Sequence, residues 1–321
     1  MLAKESRIKY DWKVKLFFAA FFLWAIYKSI SNVESQTNVQ IFNAFRSFKH
    51  IQLLMLVLVL MPLNWFFEAY KWQILMQAKE NKFELVKSLK SVLIGISIGL
   101  ITPLRLGEYY GRTLVIGSNQ LSHSLFSTFV CSLLQNIVTF FVGIIGILFF
   151  LNYSNIYESS IFFTVLTSSL FLLVGLGLLF RLDLAIKFLG KIPFIKDQVK
   201  GIKIESISSI TKGKLILVTG VRYTIYFFQY VLLMYFFNVD TEFSFILMGV
   251  SSIFLIQSML PLPPFLGLLA RAELALLIWS TFEINYVVIL SVTFLLWFIN
   301  LVLPAMIGLY MTLKLKPNVE S

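Results

Sequence analysis

Three charged side chains occur close together in a part of the chain that is otherwise mostly apolar. Arg105, Glu108 and Arg112 are spaced by three and four residues, so a helix would place them on one face. A charge at the centre of a bilayer costs about 2.5–3.5 kcal/mol on insertion scales. We therefore expect these groups to face protein, water or a polar ligand, and such an intramembrane cluster predicts a functional site.

The segment that carries this cluster is predicted to enter the membrane and return to the same side. The apolar run before it, 91–101, would rise only about 16 Å as a helix, whereas the hydrocarbon layer is about 30 Å thick. Pro103 removes a backbone donor, and Gly107 is expected to loosen the chain that follows. The pattern predicts a broken helical hairpin with the charges at its turn.

A second interruption follows the apolar run 244–260. Pro263, Pro264 and Gly267 are expected to form its turn, again within an apolar environment. Each arm is about 17 residues long, and a helix rises about 1.5 Å per residue. The length of 244–281 is therefore compatible with a re-entrant hairpin or with two short full spans.

The composition identifies the class of protein around these hairpins. Of the 321 residues, 58% are hydrophobic and 13% are charged, whereas soluble domains carry about 25% charged residues. We predict an all-α polytopic membrane protein with a single transmembrane domain, 1–321, containing about six full transmembrane helices and two re-entrant or broken helical hairpins. The full spans are expected at 14–30, 51–67, 125–151, 161–180, 215–237 and 287–313.

The distribution of basic residues predicts the orientation of these spans. The net charge of +11 would favour nucleic-acid binding in a soluble protein, but here the basic residues lie mainly in connections, so no nucleic-acid partner is expected. The loop 181–214 holds eight Lys and Arg residues and is predicted to be cytoplasmic. Six full spans then place both termini in the cytoplasm, and a bacterial plasma membrane is the expected location.

The two hairpins occupy corresponding places in two halves of the chain, 51–151 and 215–313. The first hairpin would start from the cytoplasm and the second from outside, which predicts an inverted repeat. Paired interrupted segments in inverted halves are typical of the substrate sites of transporters.

Motifs of soluble and metal-dependent enzymes are absent from the sequence. There is no HExxH, CxxC, P-loop or GxSxG pattern, and the single cysteine, Cys131, lies in an apolar run. We therefore expect no metal, no cofactor and no enzymatic activity.

A set of spaced residues carries a resemblance to a known family. They are Asn64, Lys71, Trp72, Gly99, Thr102, Pro103, Arg105, Gly107, Glu108, Gly111 and Arg112 in the first half, and Pro263, Pro264, Gly267 and Glu273 in the second. Over about residues 10–313 the chain resembles the flippase-like membrane region of lysylphosphatidylglycerol synthases and their stand-alone relatives. The resemblance implies lipid translocation, with the synthase activity in a separate soluble domain that we do not expect here.

The chain departs from the family pattern at two places. Phe265 and Leu266 stand where a glycine-rich second loop is often found, and Lys71 stands where arginine is common. These departures leave the exact lipid open.

On this interpretation the charged residues bind a lipid headgroup. Arginine side chains would hold an anionic phosphate by forked hydrogen bonds, and glutamates would orient them or meet an aminoacyl amine. We predict a membrane phospholipid, anionic or aminoacylated, as partner, with substrate-binding residues Glu68, Lys71, Arg105, Glu108, Arg112, Arg271 and Glu273.

Three alternatives stay open from the sequence. The charges could form a buried ion network that only holds the hairpins together, and Glu68 with Lys71 and Trp72 could be an interfacial anchor. The chain could be a membrane enzyme acting on a lipid-linked substrate, with the carboxylates of Glu68, Glu108 and Glu273 as acid or base. It could also be a structural or assembly protein of the envelope, and homo-oligomerisation is compatible with each interpretation.

Overall fold

The computed structural model describes residues 44–78, 82–102, 105–116, 120–154, 159–181, 187, 191, 208–260, 264–282 and 284–315. Every regular element within these ranges is helical. The predicted span 14–30, most of the loop 181–214, and Pro103 and Pro263 at the two predicted turns lie outside the described residues.

Ten α-helices are described, and we number them in chain order. They are α1 (Phe48–Gln77), α2 (Leu85–Ile101), α3 (Leu106–Thr113), α4 (Leu121–Ser154), α5 (Ser159–Phe180), α6 (Ser209–Phe236), α7 (Phe243–Met259), α8 (Pro264–Trp279), α9 (Tyr286–Trp297) and α10 (Leu303–Lys314). A 3₁₀ turn, Ser280–Phe282, follows α8, and a π-helical turn, Phe298–Val302, joins α9 to α10.

Five helical segments are long and apolar enough to cross a membrane. They are Phe48–Gln77, Leu121–Phe150, Phe162–Phe180, Ser209–Phe236 and Tyr286–Lys314. Each coincides with one of the full spans predicted from the sequence, so the all-helical, multi-pass class is confirmed. The finer arrangement of six full spans with two re-entrant hairpins stays a prediction.

The π-helical turn has a local cause in the sequence. Pro304 has no N–H to donate to the carbonyl four residues earlier, that of Asn300, so an α-helical ladder cannot be continued there without a gap. The wider turn absorbs this gap, and the helix resumes at Leu303. The turn lies within the long segment 286–314 and carries Asn300, whose side chain accepts from Asn64 Nδ2 at 2.9 Å.

The first hairpin is longer than its apolar run indicated. α2 begins at Leu85 and contains Lys87 and Lys90. Lysines are tolerated at this end of the helix because their long side chains can extend to the membrane interface. Its 17 residues rise about 26 Å, which is still shorter than the hydrocarbon layer. The helix ends at Thr102, which has extended backbone angles (φ −110°, ψ 144°).

The turn that follows holds Arg105 in an unusual backbone conformation. Arg105 precedes α3 and has φ 58°, in the left-handed region, which a non-glycine residue adopts at a cost of about 1–2 kcal/mol. The Thr102 hydroxyl oxygen accepts the Gly107 N–H at 2.8 Å and so ties the two sides of the turn together. The strained residue is thus the same one that carries the first charge of the cluster.

The glycines of this hairpin do not loosen the chain as the sequence suggested; they let α2 and α3 approach closely. A Cβ atom on Gly111 would lie 2.8 Å from Gly95 Cα, and one on Gly107 would lie 2.7 Å from the Ile98 carbonyl oxygen. Among the described glycines none has a positive φ. Small residues spaced four apart on facing helices are a common way to pack helices within a membrane.

The two halves of the chain pack against each other in a reciprocal way. Helix α1 lies along α6, where Gln229 Nε2 donates to the Val57 carbonyl at 3.0 Å. Helix α7 of the second half packs on α4 of the first, while α2 of the first half packs on α10 of the second. The polar centre of the protein lies among these crossed helices.

The close approach of α2 and α3 predicts different effects of alanine at two glycines. Gly111→Ala places a methyl group against the backbone of Ile94 and Gly95, and overpacking of this kind costs about 1–3 kcal/mol. Gly220→Ala on α6 meets nothing within 4 Å, and alanine favours a helix over glycine by about 1 kcal/mol. In thermal unfolding in detergent, we expect a lower melting temperature than wild type only for Gly111→Ala. Equal shifts for both variants would contradict the close packing.

Candidate functional site

A central cavity of about 480 Å³ lies among helices from both halves of the chain. Its volume is within the range of about 300–1,000 Å³ that is usual for small-molecule sites. Side chains of α1 to α4 and of α6 to α9 line it, together with Arg105, which precedes α3, and the π-helical turn. Asn64 on α1, Gln135 on α4 and Arg222 on α6 lie near the middle of long spanning helices, so the cavity is at the mid-depth of the bundle.

The carboxylate of Glu68 is the point where three elements meet at this cavity. Its oxygens lie 2.9 Å from Lys71 Nζ on the same helix, 2.8 Å from Arg112 Nη2 on α3, and 3.3 Å from Arg222 Nη1 on α6. The side chain of Glu68 is only 9% exposed. A buried carboxylate needs such partners, because an unpaired charge would pay the full cost of its lost hydration.

The second carboxylate, Glu108, is held by its own helix. Because i+4 and i−3 neighbours share a helix face, Glu108 pairs with Arg112 Nη2 at 2.6 Å and with Arg105 Nη2 at 2.8 Å. The common face predicted for Arg105, Glu108 and Arg112 is therefore present in the fold. Arg112 joins the two carboxylates, so the hairpin is tied to α1.

The predicted site residues divide into those on the cavity wall and those behind it. Glu68, Arg105, Glu108 and Arg271 line the cavity. The side chain of Arg105 is 42% exposed, that of Glu108 16%. Arg105 is thus more open than Arg112 and Arg222, whose side chains are 2% and 27% exposed.

Lys71 and Arg112 lie behind this wall. Both are almost fully buried and are absent from the described residues that line the cavity. Lys71 Nζ also donates to the Cys131 carbonyl at 3.1 Å. We infer that these two cations orient the glutamates rather than touch a ligand, and the interpretation of Lys71 and Glu68 as an interfacial anchor does not fit their burial.

The second predicted hairpin brings one of its two charges to the site. Arg271 of α8 lines the central cavity and, with Arg105 and Gly267, also lines a small adjoining cavity of about 50 Å³. Glu273 is exposed and is not among the described residues that line the cavity. A spacing of two residues turns their side chains to different faces of α8, so a substrate-binding role for Glu273 has no support in this geometry. Helix α8 begins at Pro264.

Arg222 is a charged residue of the cavity wall that the sequence interpretation missed. Its Nη1 donates to Gln135 Oε1 at 2.6 Å, and the residue lines the central cavity beside Glu68. A signal was available, because Arg222 is a lone charge within the predicted span 215–237 and carries the same insertion cost as the cluster around Arg105. Uncharged polar residues of the wall were also missed, namely Gln135, Asn136, Gln257 and Asn300.

The charges around the cavity do not balance. Among the described residues, five cationic side chains lie on or directly behind the wall, against two carboxylates: Lys71, Arg105, Arg112, Arg222 and Arg271 against Glu68 and Glu108. This excess attracts an anionic group and repels a metal cation. Arginine forks are suited to phosphate oxygens, so the site can hold a phosphate or phosphodiester within an otherwise apolar helix bundle.

The different surroundings of the two carboxylates predict different costs of neutralising them. Glu68→Gln removes the counterion shared by Lys71, Arg112 and Arg222, and breaking a buried pair costs about 3–5 kcal/mol. Glu108→Gln should cost less, because Arg112 keeps Glu68 and Arg105 is partly exposed. We expect Glu68→Gln to lower the melting temperature in detergent much more than Glu108→Gln does. Glu84→Gln, at an exposed position, is the control. A larger loss for Glu108→Gln than for Glu68→Gln would contradict the assignment.

Comparison with known proteins identifies the family of the chain. A sequence profile described as the lysylphosphatidylglycerol synthase TM region matches residues 12–308, which include every residue of the central cavity wall. No curated protein and no solved structure gives a significant match. The chain belongs to the family of the lysylphosphatidylglycerol synthase transmembrane region.

Proposed function

We propose that this protein moves an anionic or aminoacylated phospholipid across the membrane and holds the headgroup in the central cavity. The observation that carries the proposal is the cationic excess around a cavity at the mid-depth of apolar helices. A headgroup that crosses a bilayer must leave water, and a charged cavity at mid-depth replaces part of its hydration. The family supplies the lipid context.

The proposed headgroup contacts follow from exposure and ion pairing. Arg105, Arg222 and Arg271 line the cavity and present guanidinium groups to a phosphate. Glu68 pairs with Arg222 and Glu108 with Arg105, and on an aminoacylated lipid these two carboxylates would also meet the ammonium group. Lys71 and Arg112 keep the carboxylates positioned from behind.

We further propose that the halves 51–151 and 215–313 form an inverted repeat around this cavity. Two observations support it: both halves contribute cavity residues, and α4 with α7 packs as the counterpart of α2 with α10. In such transporters, alternating access arises when one half rocks against the other around a fixed site. Both termini are assigned to the cytoplasmic side of a bacterial plasma membrane, on the strength of the basic loop 181–214.

The surroundings of the carboxylates argue against an enzymatic role. Glu68 and Glu108 are each engaged by at least two cationic side chains, so neither is a free general acid or base. A purely structural ion network would need no cavity beside it. Binding of a lipid headgroup accounts for both features.

Lipid-dependent stability tests the binding step. Purified protein in neutral detergent should be stabilised more by dioleoylphosphatidylglycerol or lysyl-phosphatidylglycerol than by dioleoylphosphatidylcholine, because a ligand stabilises through its affinity for the folded state. Arg105→Gln should keep the lipid-free melting temperature. It should raise the lipid concentration needed for the same stabilisation by about ten- to a hundredfold, because one charged hydrogen-bond partner of the lipid is lost. Arg105→Lys should be intermediate.

The control for this experiment lies on the same hairpin. Lys90 is exposed on α2, away from the cavity, and Lys90→Gln removes one positive charge without touching the site. A wild-type protein that phosphatidylglycerol stabilises no more than phosphatidylcholine would refute the binding site, and an equal effect of Lys90→Gln would reduce it to nonspecific charge attraction.

Transport is tested separately in liposomes. Protein reconstituted with acyl-labelled fluorescent phosphatidylglycerol should increase the fraction of label that dithionite can reach from outside, and Arg105→Gln should abolish the increase while Lys90→Gln retains it. Assays with and without an imposed proton or potential gradient cover a driven and an undriven mechanism. Binding without transport under every gradient would refute the translocation step but leave the headgroup site.

A further inference from the structure

A second cavity lies on the outer surface of the helix bundle, between α4, α6 and α7. It has a volume of about 450 Å³, and we call it the lateral groove. Ile145 and Phe149 of α4, Thr224 of α6, and Leu247 and Met248 of α7 line it. Ile145 and Phe149 are 43% and 57% exposed, so the groove opens to the surroundings of the bundle. None of the described residues that line it carries a charge.

Tyr223 connects the lateral groove with the central cavity. It lines both, and its neighbour Arg222 lies on the wall of the central cavity. Tyr223 is only 6% exposed, yet its hydroxyl has no hydrogen-bond partner among the described residues. A buried hydroxyl without a partner costs free energy, so its place at this junction indicates a polar group that arrives with a ligand.

We propose that the lateral groove holds an acyl chain of the same anionic lipid whose headgroup occupies the central cavity, with the Tyr223 hydroxyl donating to the ester group between them. The inference rests on the proposed function, because it needs the headgroup in the cavity. It adds a binding site for the chain, a specificity residue, and the side of the bundle through which the lipid enters.

The order of chemical groups along the protein matches the order along a phospholipid. The cationic cavity suits the phosphate, the isolated donor at Tyr223 suits an ester carbonyl, and the uncharged groove suits a hydrocarbon chain. From Val142 to Phe149 the groove follows α4 for roughly 10 Å at 1.5 Å per residue, enough for part of a chain whose remainder stays in the bilayer.

The groove has a closed floor, which distinguishes it from general lipid-exposed surface. A Cβ atom on Gly146 would collide with the Ser251 side chain, so α4 and α7 touch directly beneath the groove. The chain would therefore lie in a defined channel rather than pass between the helices.

The role of Tyr223 is tested with two lipids that differ only at the ester. In wild-type protein, dioleoylphosphatidylglycerol should give the same stabilisation as its diether analogue at an about two- to tenfold lower concentration. This ratio corresponds to the free energy of one hydrogen bond. Tyr223→Phe should remove this difference while its lipid-free melting temperature is unchanged or raised, because the deleted hydroxyl has no partner in the described part of the protein. An equal ester preference in both proteins would overturn the assignment of Tyr223.

The position of the chain is tested by photolabelling with phosphatidylglycerol that carries a diazirine in one acyl chain. In wild-type protein the label should be concentrated on the groove residues of α4 and α7. Thr224→Trp fills the groove and should lose that labelling, whereas Leu217→Trp, two turns earlier on α6, 69% exposed and outside the groove, should keep it.

The outcomes separate this inference from the proposed function. If anionic lipid still stabilises the wild-type protein but labelling is spread over the lipid-facing surface, the headgroup site stands and the groove is refuted. If a diazirine-labelled phosphatidylcholine labels the groove equally well, the groove takes bulk lipid and its coupling to the anionic headgroup is refuted. If anionic lipid gives no selective stabilisation, both proposals fall together.

Discussion

The carboxylate of Glu68 is shared by cations from three helices, and the arrangement of the protein depends on that contact. Lys71 comes from its own helix, Arg112 from the short helix of the hairpin, and Arg222 from the other half of the chain. None of these charges is stable alone in an apolar bundle, because the cost of lost hydration is returned only by a close partner. The polar network therefore holds α1, α3 and α6 in fixed positions relative to one another in this structure.

The hairpin of α2 and α3 is the device that brings charge to the middle of the bundle. The short helix after the turn places Arg112 against Glu68 of α1, while Arg105 at its start pairs with Glu108. Close packing of glycines on the two helices leaves no room between them, so the charged face of α3 is turned towards α1 and the cavity. The left-handed backbone of Arg105 is held by the contacts of the turn and by the ion pair to Glu108.

The polar cavity and the lateral groove meet at Tyr223. On the proposed function, hydrocarbon tails gain little by leaving the bilayer for an apolar groove, so affinity for the lipid is expected to come mainly from the headgroup and from correct placement of the chain. This division explains why the charged residues are concentrated at the centre while the groove is lined by ordinary apolar side chains.

Elementary physical rules were enough to predict the class of the protein and the charged face of the first hairpin. The length and apolarity of the runs gave five of the spanning segments, and helical spacing placed Arg105, Glu108 and Arg112 on one face. The cost of intramembrane charge identified the cluster as important, and the same rule applied to the span 215–237 would have included Arg222. These features depend on local spacing and on transfer from water, and both can be evaluated from the sequence alone.

Only the tertiary structure decided which charges meet and which of them face the cavity. Lys71 and Arg112 lie behind the wall while Arg105 and Arg271 line it, because burial depends on helices far apart in sequence. The glycines of the hairpin serve close packing rather than flexibility, since their role depends on the facing helix and not on their own backbone angles. Glu273 lies at the surface because α8 turns Arg271 inwards, and the junction at Tyr223 exists only where α4, α6 and α7 come together.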